Sequence, residues 1–139
     1  MDNLQPGFPS RVFMAALRDT LGPSKPLQWV ATRDIGIFAA KAFTTPADFN
    51  HRALGLAGDE LTVDQLSAVF LKETGAPLDG TWWVLGATLK YMVADMGKMV
   101  AWFGAEGYGA DVKGLREMHP GLMDLGTWVR EESSFPKAG

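Results

Sequence analysis

A short apolar strand followed closely by an amphipathic helix is the feature that most constrains the fold. Residues 27–31 combine Leu, Trp, Val and Ala, a content typical of a β-strand. From Ile35 onward, apolar side chains recur at positions i, i+3, i+4, i+7 and i+8, which predicts a helix that ends before Pro46. Short strands that alternate with amphipathic helices indicate an α/β architecture.

The rest of the chain repeats this alternation. Residues 53–57 predict a second strand, and Thr62 with Gln65 forms a capping-box pattern that opens a helix to about residue 74. Periodicity leaves residues 82–85 open between a third strand and the start of a helix. Further helices are predicted over residues 10–21, 86–104, 111–118 and 121–132. The longest of these is expected to be the central packing element, through an apolar stripe of Leu89, Met92, Val93, Met96, Val100 and Phe103.

The composition excludes several classes of function. The chain has 139 residues, a net charge of -3 and scattered Lys and Arg residues, so no nucleic-acid-binding surface is predicted. It has no cysteine, and His51 and His119 lie far apart in sequence, so no metal site is predicted. No apolar run approaches the roughly 20 residues that a membrane helix needs. We therefore expect a cytoplasmic protein that binds neither membrane nor nucleic acid.

Several residues receive structural interpretations. Asp34 stands where a strand passes into a helix and is predicted to cap the helix N-terminus. His119 is predicted to interact with the terminal carbonyl groups of a helix. Gly107 and Gly109 predict a helix end and a tight turn rather than a phosphate loop, because no clear strand precedes them and no third glycine follows at the required spacing.

Four stretches of the chain carry a family resemblance: residues 25–43, residues 57–62, residues 106–112, and His119-Pro120 ahead of Trp128. Together they resemble the NmrA-like proteins, atypical members of the short-chain dehydrogenase/reductase superfamily. The resemblance covers nearly the whole chain but only the later half of the family pattern. It implies that residues 1–139 form a single C-terminal, substrate-side domain of a Rossmann protein, and that the N-terminal nucleotide-binding half is absent. NAD(P)H is the cofactor implied for a full-length relative, and this chain alone is expected to bind none.

No catalytic residue is predicted. The superfamily places a tyrosine four residues before a lysine, whose charge lowers the pKa of the phenol for proton transfer. Tyr91 has Asp95 at that offset and Tyr108 has Val112, while Lys113 lies one position too far from Tyr108. A catalytic Tyr/Lys pair is therefore not expected in this chain.

Candidate substrate-binding residues come from the resemblance and from the aromatic content. The first four residues resemble a segment that passes the nucleotide cleft in family members, which implies that Asn3 contacts a ligand. If residues 82–85 are extended, Trp82 and Trp83 face opposite sides, so one of them is expected to line a cleft or a partner surface. Met92 and Tyr108 complete a predicted pocket of aromatic and methionine side chains.

Three functions follow as alternatives. The first is the substrate- or effector-binding portion of an NAD(P)-dependent oxidoreductase or of a nucleotide-sensing regulator. The second is a stand-alone module that binds a small molecule or a partner in the aromatic pocket, and the third is a cofactor-free isomerase or cyclase. Because strands at 27–31 and 53–57 would expose unpaired edges, self-association or a Rossmann-protein partner is also expected.

Overall fold

Helices surround a small two-stranded sheet in this protein. The computed structural model describes residues 1–92 and 94–138, with the exception of the side chains of Trp83, of 89–92 and of 94. The elements of this part are α1 (Phe8–Leu21), β1 (Leu27–Trp29), α2 (Thr32–Thr44), α3 (Pro46–Phe49), β2 (Asp59–Leu61), α4 (Val63–Thr74), α5 (Trp83–Met92), α6 (Ala94–Ala105), α7 (Val112–Met118) and α8 (Leu125–Glu131). The protein is therefore helix-rich with a small two-stranded sheet in its described part, which is compatible with an α/β fold. Within the described residues, no helix is long and apolar enough to cross a membrane.

The sheet corrects the predicted second strand. β1 pairs antiparallel with β2, in a register that places Gln28 opposite Glu60. Residues 53–57 form no strand, and the pairing segment begins at Asp59 instead. Within this apolar run only Ala57 is buried, Leu56 is half-buried against a small cluster of Phe38, Leu115 and Leu122, and residues 53–55 are exposed. An apolar run alone therefore does not determine a strand, because a strand also needs a partner backbone.

The local helix signals agree well with the structure. Gln65 N–H donates to the Thr62 hydroxyl at 3.2 Å, and Thr62 N–H donates to the Gln65 side chain at 2.8 Å, so the predicted capping box at the start of α4 is confirmed. Gly75 ends this helix in the left-handed conformation, at φ 76°. The helix predicted at 121–132 is shorter than expected, but its apolar side chains Leu122, Leu125, Trp128 and Val129 are all buried.

The helix predicted over 86–104 is represented by α5 and α6. Trp83 begins α5, so the segment that periodicity left open is the start of a helix. On the predicted stripe, Val100 and Phe103 are buried and Met96 packs against the core, whereas the side chains of Leu89, Met92 and Val93 lie outside the described part. α5 packs closely on α1, because Gly86 has no side chain: a Cβ atom there would stand 2.6 Å from the nitrogen of Ala16.

The first residues of the chain are held by segments distant in sequence. Thr32 N–H donates to Oδ2 of Asp2 at 2.8 Å, so the Asp2 carboxylate caps α2, whose own N-cap residue, Ala31, has no side-chain acceptor. Trp128 Nε1 donates to Oδ1 of Asp2 at 3.4 Å. Burial would raise the pKa of this carboxyl, but the hydrogen bonds, chiefly that from Thr32, hold the pKa below its usual value.

Asp34 does not cap α2, contrary to the prediction. It is 1% exposed, and its Oδ2 accepts a hydrogen bond from Met123 N–H at 3.0 Å. The carboxylate therefore ties α2 to the loop before α8, 89 residues later in the chain. A sequence pattern detects a cap within one helix, but it cannot detect an acceptor that serves another part of the chain.

Candidate functional site

Two adjoining cavities lie between the N-terminal segment, α1, β1 and α6. We call them the wide cavity, of about 640 Å³, and the narrow cavity, of about 280 Å³. The wide cavity is lined by Asn3, Gln5, Phe8, Pro9, Ser10, Val12, Phe13, Met96 and Met99. The narrow cavity is lined by Met1, Asn3, Phe13, Leu27, Gln28, Trp29, Val30, Leu56, Met99, Phe103 and Tyr108. Because Asn3, Phe13 and Met99 line both, the two cavities meet at these side chains.

The N-terminal segment is fixed over the start of α1. Leu4 is buried in the core, and its N–H donates to the carbonyl of Met1 at 2.8 Å, which closes a turn around Asn3. Gln5 N–H donates to the hydroxyl of buried Ser10 at 2.9 Å. These contacts hold Asn3 at the junction of the cavities although its own side chain is exposed.

Most polar groups around the cavities are already bonded. The Gln5 side chain donates to the carbonyl of Asp2 and accepts from Ser134. The Gln28 side chain pairs with the backbone of Ala110, donating to its carbonyl and accepting from its N–H, both at 2.9 Å. Asn3, in contrast, makes no hydrogen bond to the part of the protein that the structure describes. It is therefore available to orient a ligand.

An aromatic cluster borders the narrow cavity. The rings of Trp102, Phe103 and Tyr108 lie with centroids 5.0–5.9 Å apart, in tilted and edge-to-face arrangements that favour attraction between rings. Trp102 Nε1 donates to the carboxylate of Glu106 at 3.1 Å, which holds the ring at the end of α6. Phe103 is buried while Tyr108 is largely exposed, so the cluster extends from the core to the rim of the cavity.

The predicted substrate-binding residues are only partly brought together. Asn3 and Tyr108 both line the narrow cavity. Trp82 is 82% exposed and lines neither cavity, so the structure separates it from them. The side chains of Trp83 and Met92 lie outside the described residues. In the described part of the structure, the predicted residues therefore do not all line one pocket.

Phe13 and Met99 line both cavities but were not among the predicted site residues. Phe13 lies in the helix predicted over residues 10–21, and Met99 lies in the helix predicted over residues 86–104. The fold brings both side chains to the two cavities, although Phe13 and Met99 are 86 positions apart in the sequence. A sequence pattern that could have indicated Met99 is its three-residue spacing from Met96, which places both side chains toward one side of a helix.

A second group of buried polar atoms lies elsewhere. His119 follows α7 as its C-cap residue, but its imidazole makes no hydrogen bond to the helix carbonyls among the described residues, contrary to the prediction, and its Nε2 stands 3.9 Å from Oδ1 of Asp34. This distance is too long for a hydrogen bond, and neither atom has a partner among the described residues. The edge of the ring meets Phe38, with centroids 6.1 Å apart. The described residues contain no group of three potential metal ligands, here or elsewhere.

The described residues do not fit a bound dinucleotide. The dinucleotide fingerprint needs a strand, a glycine turn and a helix N-terminus whose N–H groups bind the pyrophosphate. β1 connects to α2 through Val30 and Ala31, and β2 connects to α4 through Thr62. Neither of these strand-to-helix connections contains a glycine.

Comparison with known proteins identifies the family. The model described as "NmrA-like family" matches residues 6–127, and the chain therefore belongs to the NmrA-like family. This is a family of NAD(P)-binding oxidoreductases and regulators. No curated protein matches the chain. The match of the family model confirms the family resemblance seen in the sequence.

Proposed function

We propose that this chain is the substrate- or effector-binding portion of an NmrA-like oxidoreductase or nucleotide-sensing regulator, with residues 1–139 as one C-terminal domain. The observation that carries the proposal is the pair of adjoining, mostly apolar cavities that share Asn3, whose amide makes no hydrogen bond to the described part of the chain. Small-molecule sites are typically concave and apolar, with a few polar groups that orient the ligand. The absence of cysteine is consistent with a cytoplasmic location.

In this proposal the chain does not bind the dinucleotide by itself. Support comes from the two strand-to-helix connections, which lack the glycine turn that a pyrophosphate requires. Titration of NADPH fluorescence against the purified chain tests this point. We expect no saturable response at low micromolar protein, and a saturable one would contradict the proposal.

A matched pair of variants tests the cavities themselves. Met99 lines both cavities and is 37% exposed, whereas Met118 is 38% exposed and lines neither. Met99→Trp adds a large ring at the junction and should lower the binding of Nile red, a neutral fluorescent probe of apolar sites. Met118→Trp should leave binding unchanged. Equal binding by both variants would show that the probe does not use the cavities.

A stand-alone binding module is the second candidate. Its support is the core, in which buried side chains drawn from Met1 to Val129 pack into one cluster. A single cooperative thermal transition in a monodisperse monomer would favour this candidate. A cofactor-free isomerase or cyclase has less support, because the described lining of the two cavities offers only the phenol of Tyr108 and the N-terminal amine of Met1 as titratable groups.

Association with a second copy or with a Rossmann protein is part of the proposal. The side chain of Gln28 on β1 is bonded to the backbone of Ala110, which places the segment around Ala110 close to this strand. An apolar contact therefore has more support than the expected pairing of a strand edge. Phe43 on α2 is 86% exposed, and Ile35 on the same helix is also exposed. Light scattering of the parent chain and of Phe43→Ser tests whether this face forms such a contact.

A further inference from the structure

The two cavities differ in size and meet at one polar side chain. The wide cavity has more than twice the volume of the narrow one, at about 640 and 280 Å³. A ligand that fills both has a larger part and a smaller part, joined by a segment that passes Asn3, Phe13 and Met99. The junction therefore fixes where along the ligand a polar group is useful.

The lining also restricts the charge of the ligand. Among the lining residues that the structure describes, none is an Asp, Glu, Lys, Arg or His. Transfer of an ionised group from water into such surroundings costs several kcal/mol unless a counter-charge compensates it. The narrow cavity is also lined by Met1, but its N-terminal ammonium already donates to the carbonyl of Val30 at 2.5 Å, and burial lowers the pKa of this group. It is therefore a weak counter-charge for an anion, and an uncharged ligand fits better.

The junction offers a hydrogen-bonding group that the described protein leaves unused. In the narrow cavity, Nε1 of Trp29 also lacks a partner among the described residues but is buried, and the hydroxyl of Tyr108 lies at the largely exposed rim. The amides of Gln5 and Gln28 are already bonded to protein groups, as described above. The Asn3 amide offers two donors and an acceptor, none of them used within the described part of the chain. It matches an amide, a carbonyl or a hydroxyl group on a ligand that lies across both cavities.

We infer that the site takes an uncharged, mainly apolar molecule whose hydrogen-bonding group lies between two apolar parts of unequal size, and that Asn3 binds this group. The inference rests on the proposed function, because it assigns a ligand class to the same cavities. It goes further in stating where the polar group of the ligand is located.

Three probes of similar size separate these features in calorimetric titrations of the full chain. N-(1-naphthylmethyl)benzamide has a central amide between a larger and a smaller ring system. 4-[2-(1-naphthyl)ethyl]benzamide carries its amide at one end, and the corresponding 4-carboxylate carries a terminal charge. We expect the central amide to bind about tenfold more tightly than either of the others, as one additional hydrogen bond allows. Asn3→Ala should remove this advantage, whereas Asn50→Ala, an exposed asparagine outside both cavities, should retain it.

The outcomes distinguish the ligand class from the site. Equal or tighter binding of the terminal amide or the carboxylate, lost in Met99→Trp, would overturn the inference and leave the cavities as the binding site. The same holds if Asn3→Ala keeps the preference for the central amide. Failure of all three probes to bind, together with unchanged Nile red binding by Met99→Trp, would overturn both the inference and the proposed function.

Discussion

Replacement of Gly58 by alanine should destabilise the protein strongly, because the backbone of another segment occupies the place of a side chain. A Cβ atom at this position would overlap the carbonyl oxygen of Met123 and stand 3.1 Å from its carbonyl carbon. Both groups belong to the backbone, so no side-chain rotation relieves the overlap. The loop before β2 and the loop before α8 would have to separate.

This separation endangers contacts that surround Gly58. Gly58 N–H donates to the carbonyl of Trp29 at 2.7 Å, and Nη2 of Arg116 donates to the carbonyl of Gly58 at 2.8 Å. Loss of two hydrogen bonds costs about 2 kcal/mol, and steric overpacking adds about 1–3 kcal/mol. We therefore expect Gly58→Ala to lose about 3–5 kcal/mol, a large share of the free energy of unfolding of a typical domain.

Thermal unfolding followed by far-UV circular dichroism measures this loss. For a chain of this size, about 3–5 kcal/mol corresponds to a fall in Tm of roughly 10–15 °C. Gly36→Ala is the matched control, because Gly36 lies on the exposed face of α2 and a Cβ atom there meets nothing within 4 Å. The control should gain up to about 1 kcal/mol from helix propensity. A Gly58→Ala variant that melts within about 3 °C of the parent would refute the close approach of the two loops.

Two further predictions concern packing and pH. Phe103→Ala should lower the free energy of unfolding in urea by about 3–5 kcal/mol, because it removes a buried ring. Lys98→Ala, at an exposed position of α6, should change this free energy by less than about 0.5 kcal/mol. Similar losses in both variants would mean that α6 buries its other face. The lowered pKa of Asp2 means that its carboxylate stabilises the fold above the ordinary carboxyl pKa, and this contribution is lost as pH falls through the folded value, below about pH 4. Asp2→Asn should therefore be less stable than the parent at pH 7, with a smaller difference at pH 3; an equal difference at both pH values would exclude this role.

The features that sequence predicted well depend on neighbouring residues. The capping box of α4 and the buried side chains of α8 follow from patterns within a single helix. The strand at 53–57 was wrong because strand formation depends on a partner, and β1 pairs instead with the segment that begins at Asp59. Likewise Asp34 was predicted to cap its own helix, although its carboxylate accepts a hydrogen bond from the N–H of Met123.

The candidate site shows the same limit. Asn3 was proposed from a family resemblance, and no local pattern would have selected it. The cavities arise only where α6 passes α1 and the N-terminal segment, so Phe13 and Met99 meet through the fold. The apolar character of the site was predictable from the methionine and aromatic content, whereas its division into two unequal cavities was not.

The carboxylate of Asp2 has a consequence for how the chain acquires its structure during synthesis. Asp2 leaves the ribosome long before one of its partners, the Trp128 indole, which lies 126 residues later in the chain. Until α8 has emerged, the segment that carries Asn3 lacks this anchor. Ligand binding at the two cavities should therefore develop late in translation, and a nascent chain stalled before Trp128 should bind the central-amide probe more weakly than the completed one.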